Sequence, residues 1–400
     1  MIKDSNIVLG ITGSIAAYKA AVLASKLTQA GARVDVVMTD SAQKFITELT
    51  LRSVTGRPVA VSMWDKSCEL NIEHISLAER ADAVLIAPAT ANFIGKLAAG
   101  IADDLLSCVV LATRSPVIIA PAMNVNMYEN AVTQENIARL KSRGFVFIEP
   151  ANGRLACGAV GSGRLAEIED IIGTMRMVLG RSGDMAGKKV VVTAGGTREA
   201  LDPVRFISNR SSGKMGYALA EAARDRGALV TLISSASLAE PTGMEMVYVE
   251  TAGQMREAVT KAIPGACALV MSAAVADYQS AHPAVEKIKK DSQALVLELV
   301  RTPDILAEVR GDFIKVGFAA ESADLIANAT GKLKKKNLDL IVANDITQPG
   351  WGFGADSNKV TLIDSGGLIE DLPLMSKRRI AERLWDWVVS HPRMNKPDKE

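Results

Sequence analysis

Several short stretches of this chain combine residue types and spacings that could do chemistry. Thr12-Gly13-Ser14 lies between a short apolar run and a helical pattern that begins at Ile15. Backbone N–H groups at a helix start, with a small hydroxyl beside them, make a ready phosphate site. The stretch is not GxGxxG, so a dinucleotide fingerprint is weak there. His74, in Glu73-His74-Ile75-Ser76-Leu77, is one of only three histidines, with His282 and His391. A lone histidine is more often a packed or surface residue than a proton carrier, and sequence pattern alone leaves both open. Ala87-Pro88-Ala89-Thr90-Ala91-Asn92 and Pro121-Ala122-Met123-Asn124-Val125-Asn126-Met127-Tyr128 each follow an apolar run, where open α/β sheets bind ligands. Cys157 sits within residues 152–164, a stretch too rich in glycine for a regular element, which predicts a mobile loop or flap.

The second half has its own candidates. Residues 202–216 are dense in Asp, Arg, Asn, Ser and Lys and lead into a helical pattern, as an anion cradle or a plain polar loop would. Ser272-Ala273-Ala274-Val275-Ala276-Asp277-Tyr278 follows the apolar run 268–271, which puts an acid just past a strand end. Two lysine runs occur, one at Lys287, Lys289 and Lys290, the other at Lys332 and Lys334 to Lys336. Such runs are often solvated helix faces. The formal net charge is only +1, so they point to a local phosphate or triphosphate site and not to a polymer or an anionic membrane.

These residues need a scaffold. At 400 residues the chain exceeds what one core usually supports, and two domains are expected. Short apolar strands at residues 7–10, 33–38, 83–87 and 116–120 alternate with helical patterns. They predict a parallel sheet covered on both faces. The pattern restarts near residue 187, with strands at 189–193 and 229–234 flanking a helix over 215–226 and a polar insert at 198–212. Gly31-Ala32 and Gly227-Ala228 stop the corresponding helices. The fold class expected is therefore α/β, two Rossmann-like domains with mostly parallel sheets, spanning residues 1–185 and 186–400. Four cysteines without a CxxC pair exclude a disulfide framework and make structural zinc improbable. The most apolar window, 105–123, is cut by Arg114-Ser115-Pro116 into pieces too short to cross a bilayer, and a cytoplasmic enzyme is expected. A frayed polar tail is expected from residue 391.

In order, the early Gly13-Ser14-Ile15 turn, His74, Pro88 to Asn92, Pro121 to Met127 and the Cys157 stretch resemble the homo-oligomeric flavin-containing cysteine decarboxylases over residues 1–180. That resemblance implies FMN bound at the strand ends. Gly13, Ser14 and Ile15 would meet its phosphate and ribityl chain, and Thr39, Thr90, Asn92 and Ala122 would line the flavin. It makes His74 the catalytic base, Asn124 and Met127 the groups that position the substrate carboxylate and acyl-cysteine, and Cys157 the proton donor. Decarboxylation of an ordinary cysteine would leave an unstabilised carbanion, whereas prior oxidation to a thioaldehyde gives a delocalised enethiolate. The cofactor would thus carry the hard step. Thr90, Phe93 and Tyr128 depart from the usual family residues Ser, Thr and Trp.

Residues 190–345 resemble the phosphopantothenate–cysteine ligases. The likeness implies CTP-driven activation of the 4′-phosphopantothenate carboxylate as an acyl-cytidylate, followed by attack of the L-cysteine amine. Asp277, Lys287, Phe318, Lys332 and Lys336 match CTP-binding positions. Ala273 and the turn Pro303-Asp304-Ile305-Leu306 complete the substrate site. Asn209 matches the residue that handles the acyl-cytidylate, and Arg205 a neighbouring substrate residue. Mg²⁺ is expected on the triphosphate, without an identifiable metal-ligand set. Joined in this order, the halves resemble the bacterial bifunctional coenzyme A biosynthesis family, which implies a homo-oligomer: trimers of the first half, with dimerising second halves building a dodecamer. A non-enzymatic flavin-fold regulator is the alternative, disfavoured by the joint presence of His74, Asn124 and Cys157. A two-Rossmann NAD oxidoreductase is disfavoured by the missing GxGxxG.

Overall fold

A computed structural model describes residues 2–64, 73–154, 160–289, 295–321, 324–345 and 354–395. The chain forms two compact units, Met1–Leu179 and Gly180–Glu400.

The first unit is built on six parallel strands: β1 (Asn6–Ile11), β2 (Arg33–Met38), β3 (Val59–Ala60), β4 (Ala83–Ala89), β5 (Val117–Pro121) and β6 (Val146–Phe147). Their spatial order is 3-2-1-4-5-6, so the chain reverses direction across the sheet between β1 and β4. Ligands in such sheets sit outside the carboxyl ends of the strands at this switch point. Continuous apolar runs are needed because both faces are covered. Ile7, Leu9 and Ile11 enter one core cluster, with helices Tyr18–Gln29 and Ile168–Leu179. Val8 enters the other, with helices Ala91–Ala99 and Leu105–Ala112.

Two elements differ from expectation. The first helix opens as a single 3-10 turn, Ile15–Ala17, because the Ser14 hydroxyl accepts from the Ala16 N–H and tightens the entry. The glycine-rich stretch, expected to be irregular, forms an antiparallel pair of arms, β7 (Ala151–Arg154) and β8 (Val160–Arg164). Backbone pairing holds these arms, and pairing does not need bulky side chains. Cys157, between them, lies outside the described residues.

The second unit uses β9 (Lys189–Ala194), β12 (Leu229–Ser234), β13 (Glu245–Tyr248), β14 (Ala268–Met271), β17 (Ile314–Glu321) and β18 (Leu340–Asp345). Their order, 13-12-9-14-17-18, is again third-second-first-fourth-fifth-sixth and parallel. Two antiparallel strands, β19 (Ser357–Asp364) and β20 (Ile369–Ser376), extend one edge. The final helix, Lys377–Ser390, buries Trp385, whose indole N–H donates to Leu219 O at 2.9 Å. The polar insert folds into the hairpin β10 (Arg198–Ala200) and β11 (Phe206–Ser208), and a second ribbon joins β15 (Tyr278–Ser280) to β16 (Leu299–Arg301). Residues 391–395 are docked, in contrast to the frayed tail expected: Met394 is buried, and Arg393 donates to Phe313 O at 2.9 Å and pairs with Asp339. Among the described residues no helix is long and apolar enough to cross a membrane.

Candidate active sites

At the switch point of the first unit, Thr12 joins the ends of β1 and β4. It is 2% exposed. Its hydroxyl donates to Pro88 O at 2.8 Å and accepts from the Thr90 N–H at 3.0 Å. Thr90 then caps helix Ala91–Ala99 through its hydroxyl, which accepts from the Phe93 N–H. Sequence reasoning placed Thr12 only in a turn; the available signal was a threonine closing an apolar strand just before glycine. Gly13 is required for close approach, since a Cβ there would lie 2.4 Å from Ser41 Cβ. Thr39 continues β2 by donating its N–H to Ile11 O at 3.1 Å. Thus Gly13, Ser14, Ile15, Thr39, Thr90 and Ala122 all follow carboxyl ends of neighbouring strands, with Asn92 in the first turn of the Thr90-capped helix.

Asn124 caps the short helix Val125–Glu129, its carboxamide oxygen accepting from the Asn126 N–H at 2.9 Å. Met127, on that helix, is half exposed. The β8 arm lies against this segment: the Met123 N–H donates to Gly163 O at 2.9 Å. A Cβ on Gly163 would fall 2.4 Å from Met123 O, and one on Gly161 would fall 2.8 Å from Val125 Cγ2. The glycines therefore seat the hairpin directly on the Asn124 loop. Behind the helix, the Tyr128 hydroxyl donates to Glu149 Oε2 at 2.8 Å, and Lys141 pairs with Glu149 at 2.8 Å. Burial, then the Glu149 carboxylate, push the Tyr128 phenol up to about 12, so it stays a hydrogen-bond donor. His74 stands in the first turn of helix Glu73–Arg80.

These residues fit a flavin nucleotide. The Ser14-capped helix start suits its phosphate, the exposed Ile15 beside it leaves room for the ribityl chain, and the small Ala122 after β5 admits a flat ring.

In the second unit, buried threonines again join strand ends. Thr193 Oγ1 accepts from the Ala273 N–H at 3.1 Å, and Thr197 Oγ1 from the Ala276 N–H at 2.9 Å. Neither was singled out from sequence. Asn209 donates its carboxamide N–H to Val275 O at 3.0 Å, which brings the polar insert onto the segment after β14. Asp277 is exposed, and its carbonyl accepts from the Thr302 N–H at 3.1 Å. Asp304 caps Ile305–Glu308, and its carboxylate also receives Lys336 Nζ at 3.0 Å. Lys332 pairs with Glu321 at 2.6 Å. Phe318 lies on β17 and packs partly against the core. The Asp304 turn, Lys336, Lys332 and β17 are thereby brought together, while Lys287 is exposed on the loop after β15.

Arg205 is already engaged. Its guanidinium donates to Asp202 Oδ2 through Nε and Nη2, at 2.9 and 2.6 Å, and to Ile288 O at 2.9 Å. Asp202 also accepts from the backbone of Val204, Arg205 and Ile288. The knot ties the polar insert to the strap that bears Lys287. The Arg205 guanidinium, with three backbone donors, holds the Asp202 carboxyl well below the ordinary carboxylate range. A lowered folded-state value means stabilisation that is present above the unfolded value of about 3.9 and lost as pH falls beneath it. Asp202→Asn should therefore lower the thermal midpoint of the protein at pH 6–8. The difference from wild type should shrink as pH drops through roughly 4; a pH-independent difference would exclude an ionic role.

Both units are open, mostly parallel, Rossmann-like sheets with polar loops gathered at the strand ends, the architecture of nucleotide- and flavin-binding enzymes. Residues 1–180 match the family described as Flavoprotein, and residues 185–391 match the DNA/pantothenate metabolism flavoprotein C-terminal domain. The chain is 48% identical over 384 residues to the coenzyme A biosynthesis bifunctional protein CoaBC of Bacillus subtilis, covering 94% of this chain and 95% of that protein. It is 47% identical to that of Vibrio cholerae over 382 residues, with 94% and 95% covered. The crystal structure of the C-terminal domain of a CoaBC protein aligns at 39% identity and a TM-score of 0.45, covering 52% of this chain and 97% of that one. The chain belongs to the bifunctional coenzyme A biosynthesis family: an FMN flavoprotein, the phosphopantothenoylcysteine decarboxylase half, joined to a ligase half.

Proposed function

We propose that residues 186–400 join 4′-phosphopantothenate to L-cysteine at the expense of CTP, and that residues 1–185 decarboxylate the product to 4′-phosphopantetheine. The observation that supports this reading is that the strand-end loops of each half carry that half's own motif residues, Gly13, Ser14, Thr39, Thr90 and Ala122 in the first and Ala273, Asn209 and Asp277 in the second. In the ligase half, Lys287, Lys332 and Lys336 bind the triphosphate, and Phe318, Ala273 and Asp277 hold the nucleoside. The turn at Pro303, Asp304, Ile305 and Leu306 closes the pocket, with Lys336 linked to it through Asp304. The substrate carboxylate attacks the α-phosphorus of CTP and pyrophosphate leaves. The cysteine amine then attacks the acyl carbon, CMP leaves, and the amine loses its proton. Asn209 holds the acyl-cytidylate, and Arg205 fixes the loop that presents it. Among the described residues no group of three or more His, Cys, Asp or Glu is placed to hold a metal. Mg²⁺ enters as part of the nucleotide substrate, where it offsets triphosphate charge.

In the decarboxylase half, Gly13, Ser14 and Ile15 hold the flavin phosphate and ribityl chain, and Thr39, Thr90, Asn92 and Ala122 line the ring. Bound FMN supplies reversible two-electron chemistry at the cysteinyl carbon next to sulfur. His74 takes the proton that the cysteinyl thiol loses in that oxidation, and carbon dioxide then leaves the oxidised intermediate. The Asn124 carboxamide and Met127 hold the substrate carboxylate and acyl-cysteine, and a neutral amide binds the carboxylate without stabilising it as strongly as a cation would. Cys157 returns a proton to the product. The protein acts as a cytoplasmic homo-oligomer, with trimers of the first half and a dodecamer as the largest assembly.

Lys336→Ala should raise the KM for CTP in ligation about tenfold to a hundredfold, the scale of one charge-assisted hydrogen bond, and leave decarboxylation of supplied phosphopantothenoylcysteine unchanged. An unaltered KM for CTP in steady-state kinetics would remove Lys336 from the nucleotide site.

A further inference from the structure

We infer that Asp35, at the opposite end of the sheet from the flavin site, positions His74 through Arg80; the inference rests on the proposed role of His74 as base. Asp35 lies near the start of β2 and is 6% exposed. A carboxylate so placed needs partners, and it has two: Arg57 Nε donates to Oδ1 at 2.8 Å, and Arg80 Nε to Oδ2 at 3.0 Å. Arg80 is the last residue of the helix whose first turn carries His74.

Over the described residues that helix spans Glu73–Arg80, a length that helix propensity alone does not hold in place. It connects parallel strands and so runs against them, its start at the carboxyl edge of the sheet and its end at the amino edge. Six residues at about 1.5 Å each put His74 roughly 9 Å along the axis from Arg80. Spacings of three and four residues place His74 on one face with Leu77 and Ala78, which are 3% and 2% exposed. This face sets which way His74 is turned. So small an apolar face constrains roll and height weakly, because Ala78 offers little to interlock.

The end of the helix supplies the missing constraint. Thr113 Oγ1 donates to Ala78 O at 3.1 Å, and the Ser115 hydroxyl donates to Ala81 O. Asp35 adds an ionic anchor rooted in the sheet itself. A short rod held firmly at one end carries a defined position to the other. Misplacing a catalytic group by about 1 Å can cost on the order of a hundredfold in rate.

Arg57 and Arg80 share the same carboxylate, but only Arg80 is on the His74 helix, so the two form a matched pair. In the full-length protein, Arg80→Ala should lower kcat for decarboxylation about tenfold or more, with KM for phosphopantothenoylcysteine within about twofold. It should also move the His74 ring resonances in an NMR spectrum of the flavin-bound protein, which are identified by their absence in His74→Asn. Arg80→Lys should restore most of kcat. Arg57→Ala should leave both kcat and the resonances as in wild type. Should Arg80→Ala fail to fold, Asp35→Asn should give the same kcat loss and resonance shift. Equal effects of Arg57→Ala and Arg80→Ala, or wild-type behaviour of Arg80→Ala, would overturn the inference. An active His74→Asn would instead overturn the assignment of the base.

Discussion

His74→Asn should abolish carbon dioxide release from phosphopantothenoylcysteine, with kcat down about a hundredfold to ten-thousandfold, the usual contribution of a positioned general base. Asparagine keeps the size and one hydrogen-bonding edge of the ring but cannot take up a proton. Ligation should proceed at the wild-type rate, because His74 belongs to Met1–Leu179 and every residue assigned to ligation belongs to Gly180–Glu400. The two rates are read separately, by carbon dioxide release from supplied intermediate and by CTP-dependent pyrophosphate formation. A folded His74→Asn protein that has lost both would refute independent sites. One that keeps decarboxylation would refute the base.

Gly163→Val should be nearly as damaging to the same half. The position has φ +137°, which L side chains rarely adopt, and a Cβ would stand 2.4 Å from Met123 O. That oxygen belongs to backbone and cannot swing aside. The β8 arm must therefore lift from the Asn124 loop and break the Met123 N–H to Gly163 O hydrogen bond. Decarboxylation should fall on the order of a hundredfold, since Asn124 and the hairpin that carries Cys157 lose their common seat. Ligation and flavin absorbance should stay at wild-type levels. Unchanged decarboxylation would mean that the arm's seating has no part in the reaction.

Much of this fold could be read from the order of residue types. The runs at 33–38, 229–234 and 268–271 coincide with β2, β12 and β14, because strands buried on both faces are mostly apolar and their flanks mark the ends, although Asp35 and Thr231 interrupt the first two. The strand-to-helix turns after β1 and β4 were legible for a similar reason: glycine, serine and threonine announce a cap. Three features were not. The β7 and β8 arms are paired through backbone, and glycine-rich composition hides such pairing. The threonine cross-links at Thr12, Thr193 and Thr197 depend on partners 76 to 80 residues away, which no local pattern encodes. The docked tail depends on Arg393 reaching Phe313 O, again a distant backbone group.

Arg205 shows the same limit at the ligase site. Its place among donors suggested an anion contact, yet in the structure the buried Asp202 three residues earlier takes its guanidinium. The residue type announced a charge-assisted contact, and the fold chose the partner. The lysines behave differently. Lys336 pairs with Asp304 of the turn expected to complete the same site, and Lys332, one helical turn earlier, with Glu321 at the end of β17. An incoming triphosphate can exchange with those carboxylates without rebuilding the backbone.

The most direct test of two consecutive reactions in one chain uses carboxyl-labelled cysteine. Purified protein is given phosphopantothenate, [1-¹³C]cysteine, CTP and Mg²⁺, and products are followed by mass spectrometry. The account predicts labelled phosphopantothenoylcysteine first, then unlabelled 4′-phosphopantetheine with the ¹³C recovered in carbon dioxide, all dependent on CTP. Label retained in the final thiol, or phosphopantetheine formed without CTP, would contradict it.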